Sequence, residues 1–260
     1  MSETNASRLD TDELEQKVKA VYQDVARSPD GDFHFEMGRD LAERLGYDPS
    51  VLDRIQSRAI DSFAGVGYHF NLASLEPGER VLDLGSGSGM DVFVAAIYVG
   101  DEGTVVGIDM TDDQLENGRR YRDDGGFDNV SFEKGYIEDL PFDDESFDAV
   151  ISNGVINLSA EKDRVFAEVR RVLAPGGRLA LSDITSEEQM PDSIKTNADL
   201  WAACIGGAVQ VDDYADAIET PGFDVVDRRA NDRYEFTSDR AQSACQTYGV
   251  KSISLVARKR

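Results

Sequence analysis

The fold is decided by residues 81–91, which read VLDLGSGSGMD. Apolar residues run directly into three glycines at alternate positions, Gly85, Gly87 and Gly89, and then into a helical pattern from Met90 to Val99. Glycines in such a place allow a tight turn and let the backbone approach a ligand at the amino end of a helix. The stretch therefore predicts a strand, a ligand-binding loop and a helix in succession.

Short apolar runs continue to alternate with helical patterns after this loop. The alternation is typical of repeated βαβ units and predicts a parallel sheet. The predicted strands lie near 80–84, 104–109, 130–134, 147–152 and 177–183, and the predicted helices cover 90–99, 113–122 and 163–173. Pro175, Gly176 and Gly177 are expected to end the last helix and turn the chain into the next strand.

Both ends of the chain add elements to this core. Helical spacing occurs over 10–26, around 41–45 and over 51–63, and beyond residue 190 the pattern predicts helices at 192–205 and 212–219, a strand at 223–229, a further helix and a strand at 250–257. We expect an α/β fold of the Rossmann-like, doubly wound kind, with a mostly parallel seven-stranded sheet, an N-terminal helical appendage and a C-terminal extension of helices and strands. The predicted units are a helical cap (1–75), a ligand-binding core (76–190) and substrate-side helices with final strands (191–260).

The charge balance is strongly acidic, with 51 acidic and 27 basic side chains and a net charge of -24. Such a field repels phosphate backbones and anionic lipid, so nucleic acid and membranes are poor candidate partners. Asp outnumbers Glu by 33 to 18 and Arg outnumbers Lys by 20 to 7, which fits a surface kept hydrated in concentrated salt. We interpret this as a halophile's protein, with an ordinary acidic enzyme as the alternative.

Other compositional features narrow the class further. Neither a signal peptide nor an apolar run of the roughly 18 residues needed for a membrane span is present, so we expect a cytoplasmic protein. The two cysteines, Cys204 and Cys245, are too few for a disulfide framework or a structural zinc site. No obligate protein partner is evident.

Two carboxylates beside the glycine loop indicate the ligand. A dinucleotide fingerprint places a small residue where this chain has Met90, so the spacing disfavours NAD. Asp83 would repel a pyrophosphate but suits the cationic amine of a methionine group. Asp109 ends the second strand, where a carboxylate can accept both ribose hydroxyls. The pair therefore predicts S-adenosyl-L-methionine, which carries that amine and no phosphate.

Two later segments complete the predicted cofactor site. Residues 135–142, GYIEDLPF, follow the third strand, where the adenine should lie. The fourth strand ends at Ser152 and Asn153, and its carboxyl end faces the first strand across the topological switch point. The reactive methyl group is expected to project there.

At this point the sequence resembles the arsenite methyltransferases, from about Val18 nearly to the C-terminus. The specific matches are GIDMT at 107–111, GYIE at 135–138, SNGVINL at 152–158 and LWAACIGGA at 200–208. The resemblance implies that Asn153 and Cys204 contribute to catalysis and that Tyr22 caps the cofactor from the N-terminal helix. With the residues argued above, the predicted cofactor-binding set is Tyr22, Asp83, Gly85, Ser86, Gly87, Gly89, Asp109, Met110, Gln114, Ile137, Glu138 and Asn153.

The departures from the family concern its cysteines. The family binds trivalent arsenic through thiolates, because a soft centre prefers soft sulfur ligands. By the same resemblance, one thiolate belongs where this chain has Gly154 and another where it has Val66, and only Cys204 matches. Cys245 matches no ligand position and is interpreted as a small helix residue.

The leading hypothesis is methyl transfer to a small-molecule nucleophile, with thiol-bound arsenite as the family-based candidate and a carbon, sulfur or selenium acceptor as the alternative. If a proton must be removed, His34, Tyr68 and His69 are candidate bases. A second hypothesis is a non-catalytic S-adenosylmethionine-binding protein, and a third, an NAD-dependent oxidoreductase, is opposed by Met90. Turnover with an acceptor separates the first hypothesis from the second.

Overall fold

The computed structural model describes residues 11–31, 33, 35–195, 201 and 205–260. In the described part of the chain before the sheet, the helices are α1 (Thr11–Arg27), α2 (Arg39–Leu45), α3 (Pro49–Leu52), α4 (Ser57–Asp61) and α5 (Phe70–Ala73). The core then alternates β1 (Arg80–Leu84), α6 (Met90–Val99), β2 (Thr104–Asp109), α7 (Asp112–Gly125), β3 (Val130–Lys134) and β4 (Phe147–Asn153). A single 3₁₀ turn (Ile156–Leu158) and α8 (Lys162–Val172) follow.

The C-terminal part completes the sheet. It comprises β5 (Leu173–Ser186), α9 (Asp192–Lys195), β6 (Val209–Gln210), α10 (Val211–Glu219), β7 (Phe223–Ala230), α11 (Asp239–Tyr248) and β8 (Lys251–Lys259). The strand order is β3-β2-β1-β4-β5-β8-β7, with the two-residue β6 beside β5. Strands β1 to β6 pair in parallel, whereas β8 is antiparallel to both β5 and β7. The predicted doubly wound, mostly parallel sheet is confirmed, and β6 is a short addition to its seven main strands.

The order of strands sets the position of the ligand site. The chain passes from β1 outward to β2 and β3 and then returns to place β4 on the other side of β1. The loops that leave β1 and β4 therefore diverge at the carboxyl end of the sheet, which is where doubly wound folds bind ligands. Val81, Leu82 and Leu84 of β1 are fully buried, as expected for a central strand covered on both faces.

Two sequence expectations about elements are wrong. Residues 51–63 do not form one helix: α3 begins at Pro49 under an Asp48 cap (Asp48 Oδ1 to Ser50 N, 2.8 Å) and ends at Leu52, and α4 starts at Ser57. The helical spacing arose because the intervening turn also buries Ile55 against the core. Strand β5 begins directly after α8 at Leu173, so Pro175–Gly177 lies inside the strand, at an irregularity of its pairing with β4, and does not separate the two elements.

The N-terminal helices pack on the sheet domain and share its hydrophobic core. Leu41, Leu52 and Ile60 belong to the same buried cluster as Val81 and Phe93. The division of the chain at residues 75 and 190 stays a prediction. Within the described residues, no helix has the length and apolar character required to cross a membrane.

Candidate cofactor and acceptor site

A cavity of about 640 Å³ opens at the carboxyl end of β1, β2 and β4. Its wall is formed by α1, the glycine loop, the first turn of α7, residues 135–139 and the turn after β4. The structure brings every described residue of the predicted cofactor set to this wall: Tyr22, Asp83, Gly85, Ser86, Gly87, Gly89, Asp109, Met110, Gln114, Ile137, Glu138 and Asn153. Cys204 and His34 lie outside the described residues.

The glycine loop is shaped by two close approaches. Gly85 has a φ of +64°, and a Cβ at this position would lie 2.5 Å from the side chain of Val155 in the turn after β4. A side chain at residue 85 would therefore separate the two loops that flank the switch point. Gly89, with a φ of +98°, would likewise place a Cβ 2.6 Å from Phe132.

Asp109 is held by the loop that it faces. Its Oδ2 accepts a hydrogen bond from Gly87 N at 3.0 Å, and its Oδ1 accepts one from Thr111 N at 2.8 Å. Each carboxylate oxygen has a second lone pair. The side chain is thus fixed at the end of β2 with acceptor capacity left for a pair of ligand hydroxyls.

Asp83 lies at the carboxyl end of β1 with only 2% of its surface exposed. Burial, and then the neighbouring carboxylates Asp91 and Asp109, raise the pKa of Asp83 well above its usual range. Among the described residues, no side chain or backbone group donates a hydrogen bond to its carboxylate. Ser86 Oγ, also buried on this wall, lacks a partner within the same part of the chain. These groups suit a ligand that brings a cationic amine and further polar atoms.

Asn153 organises the cavity wall at the end of β4. Its Oδ1 accepts hydrogen bonds from Val66 N (2.8 Å) and Gly67 N (3.3 Å), and its Nδ2 lies 3.0 Å from Asp91 Oδ2 and 3.1 Å from the Tyr47 hydroxyl. Asn153 therefore fixes the loop containing Val66 and Gly67 against the end of β4.

Sequence reasoning missed Tyr47 and Asp91. The Tyr47 hydroxyl donates to Asp91 Oδ1 at 2.6 Å, and both side chains are buried. Burial raises the pKa of Asp91 to about 6, although hydrogen bonds from Tyr47 and Asn153 lower it. Asp91 comes just after the glycine loop, and this position could have indicated that it belongs to the site. Nothing in the sequence around Tyr47 indicates its contact with Asp91.

The two positions at which the family resemblance implies cysteines are neighbours in space. A Cβ at Gly154 would lie 3.2 Å from Cγ1 of Val66. Val66 is 1% exposed and belongs to an apolar cluster with Ile184, Met190 and Val250. Neither residue is on the described cavity wall, although Gly65 and Val155 beside them are.

The candidate bases that the structure describes lie away from the cavity wall. His69 is fully buried and stacks on Phe70, with ring centroids 4.6 Å apart. Its burial lowers the pKa of the imidazole to about 3. The Tyr68 hydroxyl contacts that of Tyr98 at 3.2 Å. Their role as bases stays a prediction that this geometry does not favour.

Comparison with known proteins agrees with this architecture. The family described as a methyltransferase domain matches residues 75–228. The crystal structure of CrArsM, an arsenic (III) S-adenosylmethionine methyltransferase from Chlamydomonas reinhardtii, superposes with a TM-score of 0.61 at 30% identity, covering 86% of this chain and 74% of that chain. The chain belongs to the arsenite methyltransferase family. S-Adenosyl-L-methionine is the methyl donor of this family.

Two sequence relatives extend the comparison. The arsenite methyltransferase of Halobacterium salinarum is 38% identical over 253 residues, which is 92% of this chain and 64% of that protein. The human arsenite methyltransferase is 43% identical over 152 residues, 55% of this chain and 40% of that protein. This chain therefore spans less than two thirds of the length of these arsenite methyltransferases.

Proposed function

We propose that the protein transfers the methyl group of S-adenosyl-L-methionine to a small-molecule nucleophile that binds near Asn153, with thiol-bound arsenite as the first acceptor to test. The observation that carries the proposal is the pair of carboxylates, Asp83 and Asp109, that end neighbouring strands on one cavity wall. The family membership supports arsenite as the acceptor.

The residues of this chain fit the cofactor in charge and in hydrogen bonding. Asp83 would accept from the amine of the methionine group, and the free lone pairs of Asp109 would accept from the ribose hydroxyls. Ile137 and Glu138 would lie beside the adenine, and Tyr22 would cover the cofactor from α1. The bound sulfonium supplies a methyl group whose transfer leaves a neutral thioether.

The remaining work of the protein is orientation. A nucleophile held in line with the methyl group at about 3 to 3.5 Å gains much of its acceleration from that alignment. Its lone pair forms the new bond as the carbon–sulfur bond breaks, and the bonding electrons stay on sulfur. The turn after β4, fixed through Asn153, faces the acceptor side and would set the angle of approach.

The test is an assay of methyl transfer in molar potassium chloride with arsenite and an excess of glutathione. Methylated arsenic together with S-adenosylhomocysteine supports arsenite as the acceptor. The Cys204→Ser variant should then lose the product, whereas Cys245→Ser should retain it, because Cys245 is half-buried in α11 against an apolar cluster. Binding of the cofactor without turnover of any acceptor would instead indicate a non-catalytic protein.

The contact between Val66 and Gly154 favours a second candidate, a methyltransferase for a different small acceptor. An apolar side chain and a glycine supply no soft ligand at the two family positions. Under this candidate, Cys204→Ser leaves turnover of the true acceptor intact. Val66→Cys and the double variant Val66→Cys/Gly154→Cys sharpen the choice: added thiolates should raise arsenite turnover only if an arsenic pocket is retained.

A further inference from the structure

A group of polar residues behind the acceptor side of the cavity is not used by the proposed reaction. We call it the Lys162 cluster, and it consists of Asn157, Lys162, Asp183, Trp201 and Tyr214. Asp183 is 1% exposed, and it accepts hydrogen bonds from the Tyr214 hydroxyl at 2.7 Å and from Asn157 N at 2.9 Å. The carboxylate thus holds the 3₁₀ turn after β4 by its backbone amide.

Lys162 holds the same turn by its carbonyl groups. Its Nζ donates to Asn157 O at 3.1 Å and to Ser159 O at 2.7 Å. The carbonyl groups at the end of a helical turn lack partners within the turn, so a cation there stabilises it. Ser159, together with Leu158 of the turn, lies on the cavity wall.

The ammonium of Lys162 also faces an aromatic ring. Its Nζ lies 4.8 Å from the centroid of the Trp201 ring, within the range of a cation–π contact. The indole N–H of Trp201 donates to Lys195 O at 2.7 Å, which fixes the plane of the ring. Trp201 is 6% exposed.

Trp201 connects this cation to the N-terminal helix. It forms a buried cluster with Leu14 and Val18 of α1, and both of these residues lie on the cavity wall. Lys162 is therefore joined to two parts of the wall at once: directly to the turn after β4, and through the indole ring to α1.

We propose that Lys162 is a positioning residue that, through Trp201, holds α1 against the turn after β4 and so maintains the shape of the cofactor cavity. The role rests on the proposed function because it concerns the affinity of that cavity for S-adenosylmethionine. The contact between Lys162 and Trp201 can be measured without any ligand. A failure of this contact can therefore be distinguished from a failure of the cavity to bind S-adenosylmethionine.

The charges around Lys162 define its state. Asp183 on β5, Glu138 in the segment after β3 and Asp163 next to it in the chain all favour the ammonium, whereas burial lowers the pKa of Lys162 to about 8. Burial raises the pKa of Asp183 to about 6, against the hydrogen bond from Tyr214. The ammonium and the carboxylate thus each favour the charged form of the other.

Trp201 is the single tryptophan of the 260 residues, so tryptophan fluorescence reports on the surroundings of this ring, which include Lys162. In the full chain without ligand, at molar salt, the emission should change with a midpoint near pH 8 as the ammonium loses its proton. Lys162→Met should abolish this step, and Lys162→Arg should keep the low-pH spectrum up to pH 10. Lys251→Met is the matched control, because Lys251 forms an exposed pair with Glu187 and, among the described residues, none of the contacts of the Lys162 cluster, and it should titrate as wild type. If the change in emission near pH 8 persists in Lys162→Met, the proposed contact between Lys162 and Trp201 is wrong.

Cofactor affinity tests the positioning role. Lys162→Met should weaken binding of S-adenosylmethionine by at least fivefold, whereas Lys162→Arg and Lys251→Met should stay within twofold of wild type. The double variant Lys162→Met/Trp201→Leu should bind no more than twofold weaker than the weaker single variant, because both changes break one connection. Circular dichroism confirms that each variant is folded.

The outcomes are distinguishable. Wild-type affinity in Lys162→Met, with its fluorescence step abolished, would overturn the positioning role and leave the proposed function intact. If the wild-type protein itself binds no S-adenosylmethionine, the proposed function fails and with it the positioning role. The titration of Trp201 would in that case still test the contact.

Discussion

At the scale of single residues, the cavity concentrates negative charge. Asp83, Asp91 and Asp109 lie on one wall, and burial raises the pKa of each of them. A cationic ligand favours the ionised carboxylates, so its binding releases protons wherever the free carboxylates are partly protonated. The acidity of this wall therefore favours a cationic ligand and would couple the affinity for that ligand to pH.

We predict that the affinity for S-adenosylmethionine falls as the pH is lowered through about 6, the pKa of Asp91, because protonated carboxylates no longer attract the amine. Above that range the affinity should continue to rise until Asp83, whose pKa burial raises well above its usual range, is ionised as well. Asp83→Asn should bind more weakly at pH 7.5 and show a shallower dependence on pH, as measured by calorimetry. Asp112→Asn, an exposed acid paired with Lys134, serves as control. A wild-type affinity that rises on acidification would contradict this account.

His69 leads to a prediction about folding stability, because burial shifts its pKa downwards whereas it shifts the pKa of the three aspartates upwards. Its pKa drops from 6.5 to about 3 on burial, so between these values the unfolded chain binds a proton that the folded chain does not. This residue therefore removes stability as the pH falls from about 6.5 towards 3, up to about 5 kcal/mol in total. His69→Leu should flatten that part of the curve of unfolding free energy against pH, measured by denaturant titration in molar salt. An unchanged slope would show that the ring is hydrated.

At the scale of elements, α1 is fastened to α7 along the cavity. Gln114 Nε2 donates to Tyr22 O at 3.0 Å, and Asn117 Nδ2 donates to Ala26 O at 2.9 Å one turn later. Arg27 forms a bidentate pair with Asp113, with both contacts at 3.1 Å. Gln114 differs from the others because its Oε1 also accepts from Ser88 Oγ of the glycine loop. It joins the glycine loop to α1 across the cavity wall.

We predict that Gln114→Ala weakens the binding of S-adenosylmethionine by about five- to tenfold. The substitution removes two hydrogen bonds of about 1 kcal/mol each, and we expect only part of this free energy to be lost from binding, the rest being lost from the stability of the fold. Asn117→Ala removes one contact between the same helices away from the cavity wall. It should change the affinity by less than about twofold. Equal effects of the two substitutions, in the same calorimetric assay, would mean that Gln114 acts only through the packing of α1.

The elements also show what the sequence could predict. The bounds of β1, β2 and β3 agree with the predicted strands. β1 and β2 lie inside the sheet and carry nearly continuous apolar runs, whereas β3 is an edge strand with only Val130 and Phe132 buried. The break between α3 and α4 was not predicted, because Ile55 in the intervening turn is buried in the core at a position where a continuous helix would also bury a residue. Asp109 was predictable from its place after a strand, whereas the contact between Tyr47 and Asp91 joins residues 44 apart in sequence, which only the tertiary fold brings together.

At the scale of the whole molecule, the net charge of -24 dominates the dependence on solvent. Several arginines form ion pairs with acidic residues. Examples are Arg39 with Asp53, Arg80 with Asp148 and Arg171 with Glu168, and most of these pairs are exposed. Exposed pairs contribute about 0 to 1 kcal/mol each, too little to offset long-range repulsion. The uncompensated acids therefore repel one another unless salt screens them.

We predict that the protein loses folded structure at low ionic strength and regains it with added potassium chloride. The reason is that the Debye length shortens from about 30 Å at 0.01 M to about 3 Å at 1 M salt. The measurement is the melting temperature by circular dichroism across that range. A melting temperature independent of salt would remove the halophilic interpretation and leave the fold unaffected.

The central claim is that this cavity binds S-adenosylmethionine between Asp83 and Asp109, and the most direct measurement is calorimetric titration of the cofactor into wild type and Asp109→Ala in molar potassium chloride at pH 7.5. Wild type should bind one equivalent, and Asp109→Ala should bind at least tenfold more weakly, because charge-assisted hydrogen bonds of about 1.5 to 3 kcal/mol to the ribose are lost. Asp112→Ala, an exposed acid in the next helix, should bind as wild type. Absence of binding to the folded wild-type protein, or equal affinities of wild type and Asp109→Ala, would contradict the account.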